Sequence, residues 1–436
     1  MKNAQPPSWG IEPVPPQHQT LGFFDFLVLW GNLGIGLLVL LAGSFLVPGL
    51  SFSEAAGAIV IGSLIGCFLL ALVGVIGSEL KVPTMVLLRS ILGIRGSYLP
   101  SLLNVIQLLG WTVFEFVIMG YTANAILKSL FSFDNYILTT AISALIVIFM
   151  GLKGLAVIRH WLRKIAVWIV LATTVFITYR VVSMHDMLPL LLKAGDGSLS
   201  FWTGVDLVIA MPISWLALVA DYSRFAKKTS SAFYGTFLGY FFANAWMYAV
   251  GALLLLATGI TQETHDFVTA VLLLTGWLAL LILLVDETKE AWADLYSSVI
   301  SAQNIFPRLN YKKAIIGFGI AAFLVAAAID ITRYQNFLYL IGSVFIPLFA
   351  LLIADYFIFQ RGVMDSNDLY KPNGTFWFAK GINIGTIIIW FMGIGIYQYI
   401  AHQALTIGAS LPTFIAVFLL YSAYRFGIKA VKYGQV

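Results

Sequence analysis

The stretch VDETKEAWADLYSS, Val285 to Ser298, places Asp286, Glu287, Glu290 and Asp294 beside one lysine, Lys289, straight after the apolar run GWLALLILL. On a helix advancing about 100° per residue, Asp286, Asn304, Ser297, Glu290, Ser301, Asp294, Glu287 and Ser298 share one arc of about 120°. Leu295, Val299 and Ala302 take the opposite side. A one-sided acidic face of this kind can hold a cation, relay a proton or hydrogen-bond a polar ring. The plainer alternative is a structural network. Lys289, three residues after Asp286, could neutralise it locally. Glu290 and Asp294 fit that alternative less well, because like charges four apart repel unless a cation or proton sits between them.

A second polar face occurs in NVIQLLGWTVFEF, where Asn104, Gln107, Trp111 and Glu115 fall within about 80° of one another on a helix. An amide, an indole face and a carboxylate suit a flat ring that stacks and hydrogen-bonds at its edge. The competing reading is a tryptophan packed in a bundle, with Glu115 paired to a neighbouring helix.

The elements that carry these faces are membrane spans. Hydrophobic residues make up 60% of the 436 and charged residues 10%, against roughly 25% charge in soluble domains. Mean hydropathy is +0.92. The class is therefore an all-α polytopic membrane protein. Segments of spanning length lie at about 21–47, 55–80, 97–127, 136–153, 161–182, 202–224, 232–258, 267–305, 314–330, 336–359, 376–401 and 408–425. Four carboxylates of the eighth span facing lipid would cost on the order of 10 kcal/mol, so that face must line a wet cavity or a packed polar interior. The region 267–305 exceeds one crossing of a bilayer about 30 Å thick. A short outer helix ending near Thr275 and Gly276, followed by a span to residue 305, keeps the following basic loop on the inner side.

Lysine and arginine distribution orients the chain. Twenty lie in the N-terminus, the loops after even-numbered spans and the C-terminal tail, and four (Lys128, Arg180, Lys193, Arg333) on the other side. Both termini are thus expected in the cytoplasm, with the chain in the cell (inner) membrane. The pI near 9.1 follows from this asymmetry rather than from nucleic-acid binding. Residues 1–20, polar and proline-rich, read as a short disordered cytoplasmic arm, and 426–436 as a cytoplasmic tail. A lone cysteine, Cys67, excludes disulfides and cysteine metal sites, and five scattered histidines form no ligand set.

Two spans look interrupted: the first at WGNLGIG (Trp30 to Gly36) and the sixth at MPISW (Met211 to Trp215). They open two five-helix halves, 21–182 and 202–359, followed by two helices within 376–425. Broken helices at matching positions of inverted halves point to a transporter's midplane site. A channel, or an intramembrane enzyme using paired carboxylates, remains as a remote alternative. No nucleophile elbow, phosphate loop or cofactor motif is present.

PSWGIEPVP, GSYLPSLLNVIQLLGW, ADYSRF, FIPLFALLIADYF and DLYSSVISAQN together resemble the nucleobase:cation symporter-1 family over nearly the whole chain, and within it the CytX-type transporters of hydroxymethylpyrimidine, a thiamine precursor. The resemblance implies twelve helices with a 5+5 inverted-repeat, LeuT-like core and alternating access. It implies a stacking aromatic at Trp111 and substrate contacts at Gln107, Glu115, Ser214 and Trp215. It also implies a sodium site on the backbone carbonyls of Asn32 and Ile35 and the hydroxyls of Ser297 and Ser298. Asp294 stands where the family has a small residue, and Ala293 where cytosine permeases have asparagine, which speaks against cytosine. Glu115, Glu290 and Asp294 could meet the ring nitrogen and amino group of an aminopyrimidine in a two-point hydrogen bond. The coupling ion is expected to be Na+ or H+, the substrate a pyrimidine or a related nucleobase, allantoin or hydantoin.

Overall fold

The computed structural model describes residues 10–153, 166–183, 186–259, 264–329, 334–403 and 406–433. The first nine residues, Arg159, Arg163, Lys164 and Arg333 therefore lie outside the described residues, as does the start of the fifth span. Among the described residues the regular elements are helices, with only two isolated β-bridges. The first span is α1 (Phe23–Leu33) and α2 (Leu37–Ser44), and the second and third are α3 (Phe52–Leu80) and α4 (Tyr98–Phe131). α5 (Tyr136–Lys153) and α6 (Ala166–Ser183) complete the first half. The second half holds α7 (Phe201–Leu216), α8 (Val219–Ser223), α9 (Thr229–Thr258), α10 (Thr264–Ile305), α11 (Tyr311–Ala326) and α12 (Tyr334–Ile353). α13 (Ile384–His402) and α14 (Ser410–Tyr433) follow. Seven of the described helices are long and apolar enough to cross a membrane alone, and α1 with α2 makes an eighth crossing bent by 57°. Phe149, Trp168, Leu273 and Phe391 are each more than half exposed on outer helices, as lipid contact requires.

The first span breaks inside the glycine-rich segment, as expected. Gly34 closes α1, and Gly36, in extended backbone, opens α2. The sixth span breaks later than the sequence reading places it. MPISW stays helical within α7, and the helix stops at Ala217 and Leu218 before α8 begins. Pro212 removes only one donor, and its ring lies against Gly66 of α3, where a Cβ would sit 2.3 Å from the proline Cγ. The helix therefore runs on for one more turn. α10 carries the expected kink at Gly276, whose φ of 81° and ψ of 166° are non-helical.

Close helix contacts follow a matched pattern. The first span packs on α9, and the sixth on α3. A Cβ on Gly251 of α9 would lie 1.9 Å from the Leu40 carbonyl oxygen, and one on Gly77 of α3 2.4 Å from the Ala220 Cβ. Small residues at these points let the helices approach where lipid supplies no hydrophobic drive. Packing of span 1 on span 7, mirrored by span 6 on span 2, is the relation that two inverted halves produce. The most extensive pairing joins α10 to α4, which brings the two polar faces together.

The N-terminal segment departs from the expected disordered arm from Gly10 onward. The Val14 N–H donates to the Lys81 carbonyl at 2.9 Å, Arg224 donates to the Gly10 carbonyl at 2.8 Å, and Tyr370 donates to the carbonyl of Ile11. Proline-rich composition signals lack of regular structure, and these tertiary partners order the segment with only one short 3-10 turn, Pro16–His18, in it. At the other end α14 continues to Tyr433, through most of the expected tail.

Candidate substrate and cation site

The acidic stretch answers first to the break in the first span. Interrupting a helix leaves orphan N–H groups on one side and orphan carbonyls on the other. The Glu287 carboxylate accepts the Leu37 N–H with both oxygens, at 3.0 and 3.1 Å, capping the amide end of α2. The Lys289 ammonium donates to the Ile35 carbonyl at 3.1 Å and pairs with Asp286, which in turn accepts from the Asn32 amide at 3.3 Å. Negative charge at a helix start and positive charge at carbonyl ends both complement the peptide dipoles. One helical turn of α10 thus stitches both ends of the break.

Further along α10, Glu290 and Asp294 line a narrow cavity of about 10 Å³, room for roughly one water molecule. Its wall includes Trp111 and Glu115 from α4, Met211, Ser214 and Trp215 from α7, and Leu38 and Tyr240 from the first span and α9. Six of the seven residues expected to touch substrate therefore surround one space: Trp111, Glu115, Ser214, Trp215, Glu290 and Asp294. The tryptophans are set by edge contacts. Trp111 meets Tyr334 and Phe337 with ring centroids 5.8 and 5.4 Å apart, and Trp215 meets Trp30 at 5.8 Å. The indole N–H of Trp111, Glu115 Oε2, Glu290 Oε1 and the Tyr240 hydroxyl are buried without a hydrogen-bond partner. Such groups are costly to leave unpaired, and a polar ligand in the cavity would satisfy them.

Glu115, Glu287 and Glu290 each bring one carboxylate oxygen to within 4.8 Å of the others. Three like charges this close need a proton or a cation among them. Lys289 supplies part of that charge, its Nζ standing 3.6 Å from Glu290 Oε1.

Gln107 is a correction. It does not line the cavity. Its side-chain amide donates to the Ser214 carbonyl at 2.8 Å, and Asn104 donates to the Ala217 carbonyl at 3.2 Å and to the Ser301 hydroxyl at 2.8 Å. Both amide NH2 groups serve carbonyls freed where α7 ends, while Asn104 Oδ1 and Gln107 Oε1 are buried without a partner. The lower part of the α10 stripe is structural as well, with Asn304 donating to Ser97 and Ser101 and accepting from Arg89.

The carbonyls of the expected sodium set carry other partners. The Ile35 carbonyl is occupied by Lys289, and the Asn32 carbonyl accepts the N–H groups of Gly34 and Ile35. Ser298 donates to its own helix at Leu295, 2.8 Å away, and Ser297 lies against Asp221 and Tyr222 of the sixth span. Asp294 faces the cavity instead. Arg224 donates to the main-chain carbonyl of Asp221, to the Gly10 carbonyl and to the Tyr296 hydroxyl. The Asp221 carboxylate accepts the Thr84 N–H at 3.1 Å.

Tyr240 and Leu38 in the cavity wall, and Tyr334 packed against Trp111, were not foreseen. Tyr240 sits in an aromatic-rich run, GYFFANAW, in which nothing local distinguishes a cavity residue from a packed one.

Broken helices and a polar cavity inside an apolar bundle define a multi-pass membrane transporter rather than an enzyme. The chain belongs to the family described as permeases for cytosine/purines, uracil, thiamine and allantoin, which matches residues 13–424. It is 24% identical over 429 residues to the purine-uracil permease NCS1 of Arabidopsis thaliana, covering 88% of this chain and 69% of that one. It is 27% identical over 326 residues to the cytosine permease of Escherichia coli (strain K12), covering 73% and 74%. The hydantoin permease of Microbacterium maritypicum is 22% identical over 407 residues, covering 88% and 82%. In fold the chain matches Mhp1, a nucleobase-cation-symport-1 family transporter solved closed with bromovinylhydantoin bound. The TM-score is 0.83 at 21% identity, covering 98% of this chain and 97% of that one. The inward-facing conformation of Mhp1 matches at 0.82, with 20% identity and 98% and 96% coverage. The LeuT-like fold expected from the sequence is thereby established.

Proposed function

We propose that this chain imports a small heteroaromatic ring, an aminopyrimidine of the hydroxymethylpyrimidine type, by cation-coupled alternating access. On this reading it sits in the cell membrane with both termini in the cytoplasm. The observation that carries the proposal is the cavity with Trp111 and Trp215 in its walls and Glu115, Glu290 and Asp294 at its edge. Indole faces stack on a flat ring, and a carboxylate can take an amino group and an adjacent protonated ring nitrogen together. Several carboxylates and few donors favour a ligand rich in N–H groups. Cytosine, other nucleobases, allantoin and hydantoin, which relatives' names include, also carry N–H groups that these carboxylates could accept. They form the second reading.

The ring would bind as the broken spans close over it, and the unpaired Trp111 N–H and Glu290 oxygen would gain partners only with the ring in place. Competitive uptake into cells expressing the chain tests this, with labelled hydroxymethylpyrimidine against cytosine, uracil, allantoin, hydantoin and purines. Hydroxymethylpyrimidine should compete best, and Glu290→Gln and Glu115→Gln should each cut uptake strongly. Undiminished uptake in both variants would remove the carboxylates from recognition, and preference for uracil or hydantoin would move the substrate class.

A further inference from the structure

The geometry points to Lys289 as a tethered cation that takes the place of a coupling sodium ion at the break in the first span, so that the protein works without bound sodium. The inference deepens the cation coupling in the reading above and concerns the same site. The family resemblance implies sodium on the carbonyls of Asn32 and Ile35 with hydroxyls from the eighth span. The two carbonyls of that set are already engaged. The Ile35 carbonyl accepts the lysine ammonium at 3.1 Å. The Asn32 carbonyl accepts two main-chain N–H groups, and its side-chain amide is turned to Asp286. Ser298 spends its hydrogen on Leu295, and the Ser297 hydroxyl is buried without a hydrogen-bond partner.

The ammonium supplies what a monovalent metal would supply there. It carries one positive charge at the carbonyl end of the break, and it is compensated by Asp286 with Glu290 at 3.6 Å. It also bridges the first span to α10, the link a shared metal ion would make. Ammonium has three donors and a flexible stem, so it can hold a carbonyl and two carboxylates at once. A sodium ion added at these carbonyls would meet like charge and carbonyl oxygens that already hold partners. The lysine differs from an ion in one consequence: it cannot leave. The contact between the first and eighth spans is then present whatever the sodium gradient.

The test uses the purified full-length chain in lipid nanodiscs, with labelled sodium as probe and choline chloride balancing ionic strength. Wild type is expected to bind no saturable sodium and to melt within about 1 °C in sodium and choline, because a ligand that does not bind does not stabilise. Lys289→Ala should acquire sodium-competable binding and a melting temperature that rises with sodium but not with choline. Lys289→Met keeps the aliphatic stem and serves as the second variant should Lys289→Ala fail to fold. Saturable sodium binding to wild type that Ser298→Ala abolishes would overturn the inference. A folded lysine variant that remains blind to sodium would overturn it equally. Should neither variant fold, the wild-type measurement decides by itself. No organic substrate enters this assay, so a wrong ring in the transport reading leaves its outcome unchanged.

Discussion

Replacing Gly36 by alanine asks whether Glu290 is held where the cavity needs it. A Cβ at Gly36 would lie 2.8 Å from both Glu290 carboxylate oxygens and 3.1 Å from its Cδ. Ordinary contact begins at 3.4 Å, so the carboxylate must retreat by about 0.6 Å, the difference between 3.4 and 2.8 Å. The backbone raises no objection, since φ of −163° and ψ of 159° are open to any residue. Overpacking costs roughly 1–3 kcal/mol. Here the atom that yields is the end of a side chain, and Gly→Ala returns about 0.4–1 kcal/mol through the unfolded chain. Stability should therefore change by no more than about 1 kcal/mol.

Binding should change far more. A hydrogen bond to a charged group is worth about 1.5–3 kcal/mol, so misplacing the carboxylate should weaken ligand binding roughly 10- to 150-fold. Equilibrium binding of labelled hydroxymethylpyrimidine to the purified protein, with a melting curve on the same sample, reads both quantities. Glu290→Asp shortens the side chain by one methylene and should weaken binding alone, yet restore part of it in the Gly36→Ala background. That positive coupling is what a double-mutant cycle isolates. Wild-type binding by Gly36→Ala would show that the carboxylate does not set the cavity, and the reasoning would fail there.

Two further outcomes bear on the frame around the site. Glu287→Ala strands the buried Leu37 N–H and should cost about 1–3 kcal/mol, read as a lower melting temperature. Glu287→Gln keeps an acceptor and should lose less, and equal losses would refute the capping role. Gly251→Ala drives a Cβ to 1.9 Å from the Leu40 carbonyl oxygen and should sharply reduce the yield of folded protein. Gly395→Ala, with nothing within 4 Å, should be neutral or stabilising by up to about 1 kcal/mol. Similar behaviour of the two would argue against the close packing of the first span on α9.

Much of this organisation was legible from local pattern. Segment hydropathy marks the spans because the bilayer core admits only self-satisfied, apolar helices. Helical periodicity shows which residues share a face, so the α10 acidic arc and the α4 polar face were legible, and with them the carboxylates and Trp111 of the cavity wall. Clustered glycine weakens a helix wherever it sits, so the break at Gly34 to Gly36 was legible too. What a polar group on such a face binds is not a local property. Gln107 and Trp111 lie one turn apart on the same face, yet one caps a carbonyl of α7 and the other lines the cavity. Lys289 could as well have served Asp286 alone, and only the fold brings the Ile35 carbonyl, 254 residues away in sequence, within its reach. The N-terminal segment from Gly10, read as disordered for its prolines, is ordered by side-chain donors on distant elements that reach its own carbonyls. Sequence by itself determined which groups must be hidden from lipid, because that depends on the residue and its helical phase. The tertiary structure decided which orphan amide, carbonyl or charge each one satisfies, because that depends on what the packed helices place within about 3 Å.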